Sequence, residues 1–176
     1  MSIIIPAINN HQKLEKFLKS SYEYGILMSF QLAQLPEAVK IFKENGRKVL
    51  IHSELIKGLS PDEYGAIYLI QTLGVDGIIS SKPKVIEICK KRKKIGVFRF
   101  FLKDMVSLEQ SLAIAKQLRP EFIEVLPAFG VEIVPYIAKQ TNAKVMVGGL
   151  INSKKQIEDC FKKGVFGITL SNSDLW

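Results

Sequence analysis

Eight short apolar runs separated by helix-like segments, and two successive run ends rich in glycine and hydroxyl residues near the C-terminus, predict an α/β chain closed into a compact (β/α)8 TIM-type barrel. Most runs are apolar throughout rather than at alternate positions, which fits a parallel sheet covered by helices. The 176 residues allow about 22 per unit, so the barrel is compact and its last helix vestigial. An open doubly wound sheet is the alternative. Against it, no G-x-G-x-x-G follows the first run, and the glycine pair lies late in the chain.

Taken in order, the predicted strands are Ile3–Ile8, Tyr24–Met28, Lys48–His52, Gly77–Ser80, Gly96–Phe100, Phe122–Leu126, Lys144–Val147 and Val165–Leu170. The helices between them are Gln12–Ser20, Leu35–Asn45, Pro61–Leu73, Pro83–Lys93, Ser107–Leu118, Gly130–Gln140 and Ser153–Lys163. Leu35, Val39 and Phe42 share one helical face, as do Leu112, Ala115 and Leu118. Gly46, Gly74 and Gly164 stand where helices stop in a left-handed residue. Ser60-Pro61-Asp62-Glu63 reads as a helix start with Ser60 as cap and proline in the first turn. No linker or low-complexity stretch interrupts the pattern, so residues 1–176 read as one domain.

Hydrophobic residues make up 47% and charged residues 24%, as in ordinary folded proteins. No apolar run nears the roughly 20 residues of a membrane span. The stretch Met1–Ile8 carries no basic leader. Cys89 and Cys160 lie in helix-like segments without metal-ligand spacing, so the expectation is a cytoplasmic chain with reduced thiols and no metal. The formal charge of +8 and pI of about 9.4 admit an anionic partner, either nucleic acid or a phosphorylated metabolite.

In a barrel of this kind chemistry gathers at the C-terminal ends of the strands. Those ends hold Asn9, Ser29, His52 with Glu54, Ser80 with Ser81, Arg99, Glu124, Gly148 with Gly149, and Ser171 with Asn172. Gly148 and Gly149 let the backbone approach a ligand, and Ser171, Asn172 and Ser173 are helix-capping types before a short tail. Together these ends form a candidate phosphate cradle: Gly148, Gly149, Ser171 and Asn172. His52, Arg99 and Glu124 lie within apolar runs, where an unpaired charge is costly. Two readings are open for them: an internal Arg99–Glu124 salt bridge with His52 a core polar group, or a pocket lining in which Arg99 faces an oxyanion. An enzyme using His52 or Glu124 as a base on a phosphorylated metabolite is an alternative function. The run Lys90, Lys91, Arg92, Lys93 and Lys94 reads either as a solvated helix C-terminus or as an RNA-binding footprint. Phe98, Phe100 and Phe101 read as core.

The segments Pro6-Ala-Ile8, His52-Ser-Glu-Leu-Ile-Lys-Gly-Leu59, Asp76-Gly-Ile-Ile-Ser-Ser-Lys82, Glu124-Val-Leu-Pro127, Gly148-Gly-Leu-Ile151 and Ser171-Asn-Ser-Asp-Leu-Trp176 occur in this order. As a set they resemble the glycerol-3-phosphate-responsive antiterminators, regulators of bacterial glycerol uptake operons. The resemblance spans essentially the whole chain. It implies a TIM-type barrel that senses glycerol 3-phosphate, binds the leader of glycerol-operon mRNA and catalyses nothing. The cradle would then hold the effector's phosphate, with His52, Glu54, Arg99 and Glu124 around its glycerol part. Three positions depart from the family pattern: Asn9 where an arginine is usual, Glu54 in place of an aspartate, and Ala128 in place of a glycine. The expected function is therefore an effector-responsive, RNA-binding antiterminator without cofactor. The sequence leaves a homodimer open.

Overall fold

The structure is a computed structural model and describes residues 3–176; Met1 and Ser2, with which the N-terminal stretch read above begins, lie outside the described residues. Eight strands follow one another in a closed parallel barrel: β1 (Ile3–Ile8), β2 (Tyr24–Leu27), β3 (Lys48–His52), β4 (Gly77–Ser80), β5 (Ile95–Phe101), β6 (Phe122–Leu126), β7 (Lys144–Gly148) and β8 (Gly167–Leu170). Helices alternate with them: α1 (His11–Leu18), α2 (Leu35–Glu44), α3 (Glu63–Ile67), α4 (Pro83–Lys91), α5 (Met105–Leu118), α6 (Val134–Thr141) and α7 (Lys154–Lys162). After β8 the chain forms one 3-10 turn, Ser173–Leu175, the vestige of an eighth helix. This is the architecture predicted from the apolar runs. By internal contacts the chain comprises two compact units, Ile5–Gly96 and the N-terminal residues through Ile4 with Val97–Trp176.

In the unit Ile5–Gly96, the strands carry Ile26, Leu27, Leu50, Ile51, Ile78 and Ile79 into the core, each at most 2% exposed. The rings of Phe17 on α1 and Phe42 on α2 stack 4.9 Å apart between centroids. They reach the sheet because β2 carries Gly25; a Cβ there would sit 2.9 Å from the Phe42 ring. The Asp76 carboxylate accepts from the Val49 N–H at 2.9 Å, and Arg47 donates to the carbonyls of Tyr22 and Ser20 at 2.9 and 2.6 Å. These bonds satisfy backbone groups where chains enter the strands.

The start of α3 differs from the sequence reading. The cap of α3 is Asp62 rather than Ser60: its carboxylate accepts from the Gly65 N–H at 2.9 Å, and the Ser60 hydroxyl donates to that carboxylate at 2.6 Å. Pro61 therefore precedes the helix. After Ile67 the backbone widens into a π-helical segment, Tyr68–Leu73, that stops at Gly74 with φ +66°.

In the unit containing Val97–Trp176, Val97, Phe100, Ile123, Val125, Val145, Val147 and Ile168 fill the core. Helix α5 starts earlier than predicted because Asp104 is its cap, accepting from the Ser107 N–H at 2.8 Å while Ser107 Oγ accepts from the Asp104 N–H at 3.1 Å. The predicted start of α6 at Gly130 falls in a 3-10 segment, Ala128–Ile133, and the α-helix begins at Val134. Phe98 and Phe100 are core, as expected. Phe101, also expected in the core, is 48% exposed, and the Arg99 guanidinium lies 4.5 Å from its ring centroid. It is the last residue of β5, where the sheet no longer covers it.

Candidate functional site

Two polar clusters stand at the C-terminal ends of strands, one in each unit. The first, in Ile5–Gly96, is built on Glu54. That residue lies in a single 3-10 turn, Ser53–Leu55, directly after β3. Its Oε1 accepts from the Ser81 N–H at 2.5 Å, the Ser81 hydroxyl at 2.8 Å and the Ser80 hydroxyl at 3.0 Å. Its Oε2 accepts from the Ser53 hydroxyl at 2.9 Å. Partial burial works against the charged form. The Ser81 N–H and the Ser81 and Ser53 hydroxyls outweigh it and hold the carboxyl below its ordinary pKa. His52, the last residue of β3, is 5% exposed, with Nδ1 4.0 Å from Glu54 Oε2. Asn9 follows β1, is exposed, and accepts from the Asn10 side chain at 3.2 Å.

The second cluster lies in the unit containing Val97–Trp176. Arg99 on β5 and Glu124 on β6 are register partners, with Arg99 Nε 3.4 Å from Glu124 Oε2. The internal salt bridge read from the sequence is present. The other Glu124 oxygen accepts from Thr169 Oγ1 at 2.5 Å. Thr169 on β8 is in turn the register partner of Gly148 on β7. A Cβ at residue 148 would overlap Thr169 Oγ1 and come within 3.1 Å of Glu124 Oε1. Gly148 is thus small in order to admit these two side chains, a reason the sequence did not reveal. Gly149 (φ +77°) and Leu150 (φ +61°) then turn the chain through left-handed backbone. Beyond β8, Ser171 is exposed, and Asn172 caps the last turn by accepting from the Asp174 N–H at 3.1 Å. The capping expected of this segment is observed. Thr169 is the polar residue the sequence reading does not single out, a lone hydroxyl within an apolar run being the available signal; Ser80, read there as a strand-end residue, donates to Glu54.

The run Lys90–Lys94 sits at the other end of the sheet. Lys90 and Lys91 close α4, Arg92 is its C-cap, Lys93 is left-handed at φ +55°, and Lys94 leads into β5. Lys90, Lys91, Arg92 and Lys93 are exposed and Lys94 half-buried. Among the described residues no group of three or more His, Cys, Asp or Glu could hold a metal ion. No helix among them is long and apolar enough to cross a membrane.

A closed parallel β/α barrel with polar side chains at the C-terminal ends of its strands is a barrel of the TIM type. Within that class, the chain belongs to the glycerol-3-phosphate responsive antiterminator family, whose sequence pattern matches residues 4–176. A glycerol uptake operon antiterminator regulatory protein from Listeria monocytogenes is 32% identical, with a TM-score of 0.94 over 99% of this chain and 94% of that one. A glycerol uptake operon antiterminator-related protein from Thermotoga maritima is 26% identical, with a TM-score of 0.86 over 99% of this chain and 98% of that one. An uncharacterized protein from Escherichia coli K12, YgcP, is 22% identical over 98% of this chain and 91% of its own length.

Proposed function

We propose that this chain is a cytoplasmic RNA-binding antiterminator that responds to glycerol 3-phosphate and acts on the leader of glycerol-operon mRNA, without catalysis or cofactor. The family match over residues 4–176 carries this reading. Gly148, Gly149, Ser171 and Asn172 hold the phosphate. Small side chains, left-handed backbone at Gly149 and the exposed Ser171 support that assignment. Arg99 and Glu124 meet the glycerol part. Lys90, Lys91, Arg92, Lys93 and Lys94 are the RNA contacts read from the sequence, supported by the exposure of the first four.

The effector acts by population shift, favouring the RNA-competent state in proportion to its differential affinity for the two states. Arg99 suits such a trigger. Its guanidinium already lies beside the Glu124 carboxylate and the Phe101 ring, and an arriving glycerol hydroxyl competes for it.

The test is thermal unfolding with glycerol 3-phosphate and with glycerol, followed by titration of the leader RNA with and without effector. Effector at 100 times its dissociation constant adds about 2.7 kcal/mol. Leader affinity that rises with glycerol 3-phosphate supports the reading, and equal affinity with and without it refutes the reading. The variant Asn9→Arg, which restores the arginine usual in the family, is expected to tighten effector binding by about tenfold, as one charge-assisted hydrogen bond would. Calorimetry reads the difference.

A further inference from the structure

A second charged surface lies where α5 and α6 end and β6 and β7 begin, at the strand starts rather than at the cradle. It is a groove of about 490 Å³ lined by Lys116, Arg119, Glu121, Lys139 and Asn142, among others. All five are exposed. The acid is already neutralised, since Lys144 Nζ stands 3.2 Å from Glu121 Oε1. Lys116, Arg119 and Lys139 have no carboxylate partner among the described residues, whereas Lys162 and Lys163 of the same unit pair with Asp159 and Glu132. The groove therefore carries three uncompensated cations.

Two of its residues occupy unusual backbone. Arg119 (φ +49°) and Asn142 (φ +57°) end α5 and α6 in the left-handed conformation, where α7 is followed instead by Gly164 at φ +82°. Glycine takes that conformation without strain and asparagine tolerates it, whereas arginine does not, so the strained residue of the two is Arg119. Strain of this kind is retained where the side chain has a use. Here both side chains line the groove, one a five-donor cation and the other an amide with two donors. The partial negative charge of two helix ends attracts cations, but it does not call for an arginine at a strained position.

We infer that this groove binds the phosphodiester backbone of RNA, a contact separate from Lys90–Lys94. The charge and the exposure select the occupant. A single small anion gains little from exposed, flexible cations in water. A polyanion gains by releasing condensed counterions at every phosphate that a cation neutralises. The inference rests on the RNA-binding reading above and adds to it a surface.

The experiment compares the wild-type chain with Lys116→Gln/Arg119→Gly/Lys139→Gln and, separately, with Lys91→Ser/Arg92→Ser/Lys93→Ser. Fluorescence anisotropy follows a labelled glycerol-operon leader RNA and a labelled oligouridylate, with and without glycerol 3-phosphate, across a salt series. Glycine suits the backbone at residue 119, and the lysines are exposed, so the groove variant should fold; its circular dichroism melt checks this. If it does not fold, Lys139→Glu alone takes its place. The groove variant is expected to bind leader RNA at least about tenfold more weakly near physiological salt. Its slope of log affinity against log salt should fall by about 2, from three phosphates at about 0.7 each. A folded groove variant with wild-type affinity and slope overturns the groove while leaving the antiterminator reading in place. Wild-type protein that binds neither RNA overturns both. Equal, effector-independent binding of both RNAs that is weakened in the groove variant upholds the groove and overturns the antiterminator reading.

Discussion

Arg99 and Glu124 face each other in register on adjacent strands, Nε to Oε2 at 3.4 Å, with side chains 13% and 4% exposed. Glu124 is held on its other side by the Thr169 hydroxyl at 2.5 Å. Two opposite charges so deeply placed depend on each other: removing one leaves the other buried and uncompensated, while removing both together is far milder. Arg99→Met is therefore expected to lower unfolding free energy by about 3 kcal/mol, and Arg99→Met/Glu124→Met by clearly less. Urea titration of the two variants measures the coupling. On the proposed effector site, both variants lose the response to glycerol 3-phosphate.

Gly148 and Thr169 form a second linked pair. Gly148→Ala forces a methyl group against Thr169 Oγ1, and overpacking of this kind costs about 1 to 3 kcal/mol. In the double variant Gly148→Ala/Thr169→Ala the obstructing hydroxyl is gone, and part of that loss is expected to return. A double-mutant cycle by chemical denaturation reads the non-additivity. Strictly additive losses would mean that the crowding at residue 148 comes from elsewhere.

Glu54 makes stability depend on pH in one direction. Its carboxyl is lowered relative to the ordinary value: burial opposes the charge, and the Ser81 and Ser53 donors more than offset burial. A depressed native pKa means that the contribution is complete above the ordinary carboxyl value and disappears as pH falls through the lowered one. Glu54→Gln does not titrate there. The stability gap between wild type and Glu54→Gln should therefore be widest near neutral pH and shrink on acidification below about pH 4.5. Denaturation midpoints from pH 7 downward test this, and a constant gap would contradict it.

Both thiols are buried, Cys89 completely and Cys160 to 4% exposure. Burial pushes Cys89 up to about 12, and burial together with the nearby Asp159 raises Cys160. Because the thiolate is the reactive form, neither cysteine should react with a disulfide reagent in the folded protein near pH 8. Both should react after denaturation. Absorbance of the released thiolate gives the count.

The barrel was legible because its evidence is local. Runs such as Val49-Leu50-Ile51 and Val145-Met146-Val147 are apolar at every position, and the helices between them end at Gly46, Gly74 and Gly164, all with positive φ. The start of α3 was misplaced because Ser60, Pro61 and Asp62 all carry helix-start character, and only the geometry shows Asp62 accepting the Gly65 N–H. In the candidate site, Arg99 and Glu124 could be paired from their strand positions. Thr169 and Ser80 could not be matched to their carboxylates, since that depends on register between strands, which single-strand patterns do not contain. The basic groove was invisible for the same reason: Lys116, Arg119 and Lys139 are separated in sequence and are brought together only when α5 and α6 end side by side.

The closeness of Gly148 to Thr169 also bears on inheritance. Three strands contribute to one small object: a missing methyl on β7, a hydroxyl on β8 and a carboxylate on β6. A lineage that adds a side chain at 148 while Thr169 is still present must pass through a chain in which the two overlap. Residues 148 and 169 are therefore expected to vary among relatives as a single character, so that a side chain at 148 occurs only in company with a smaller residue at 169.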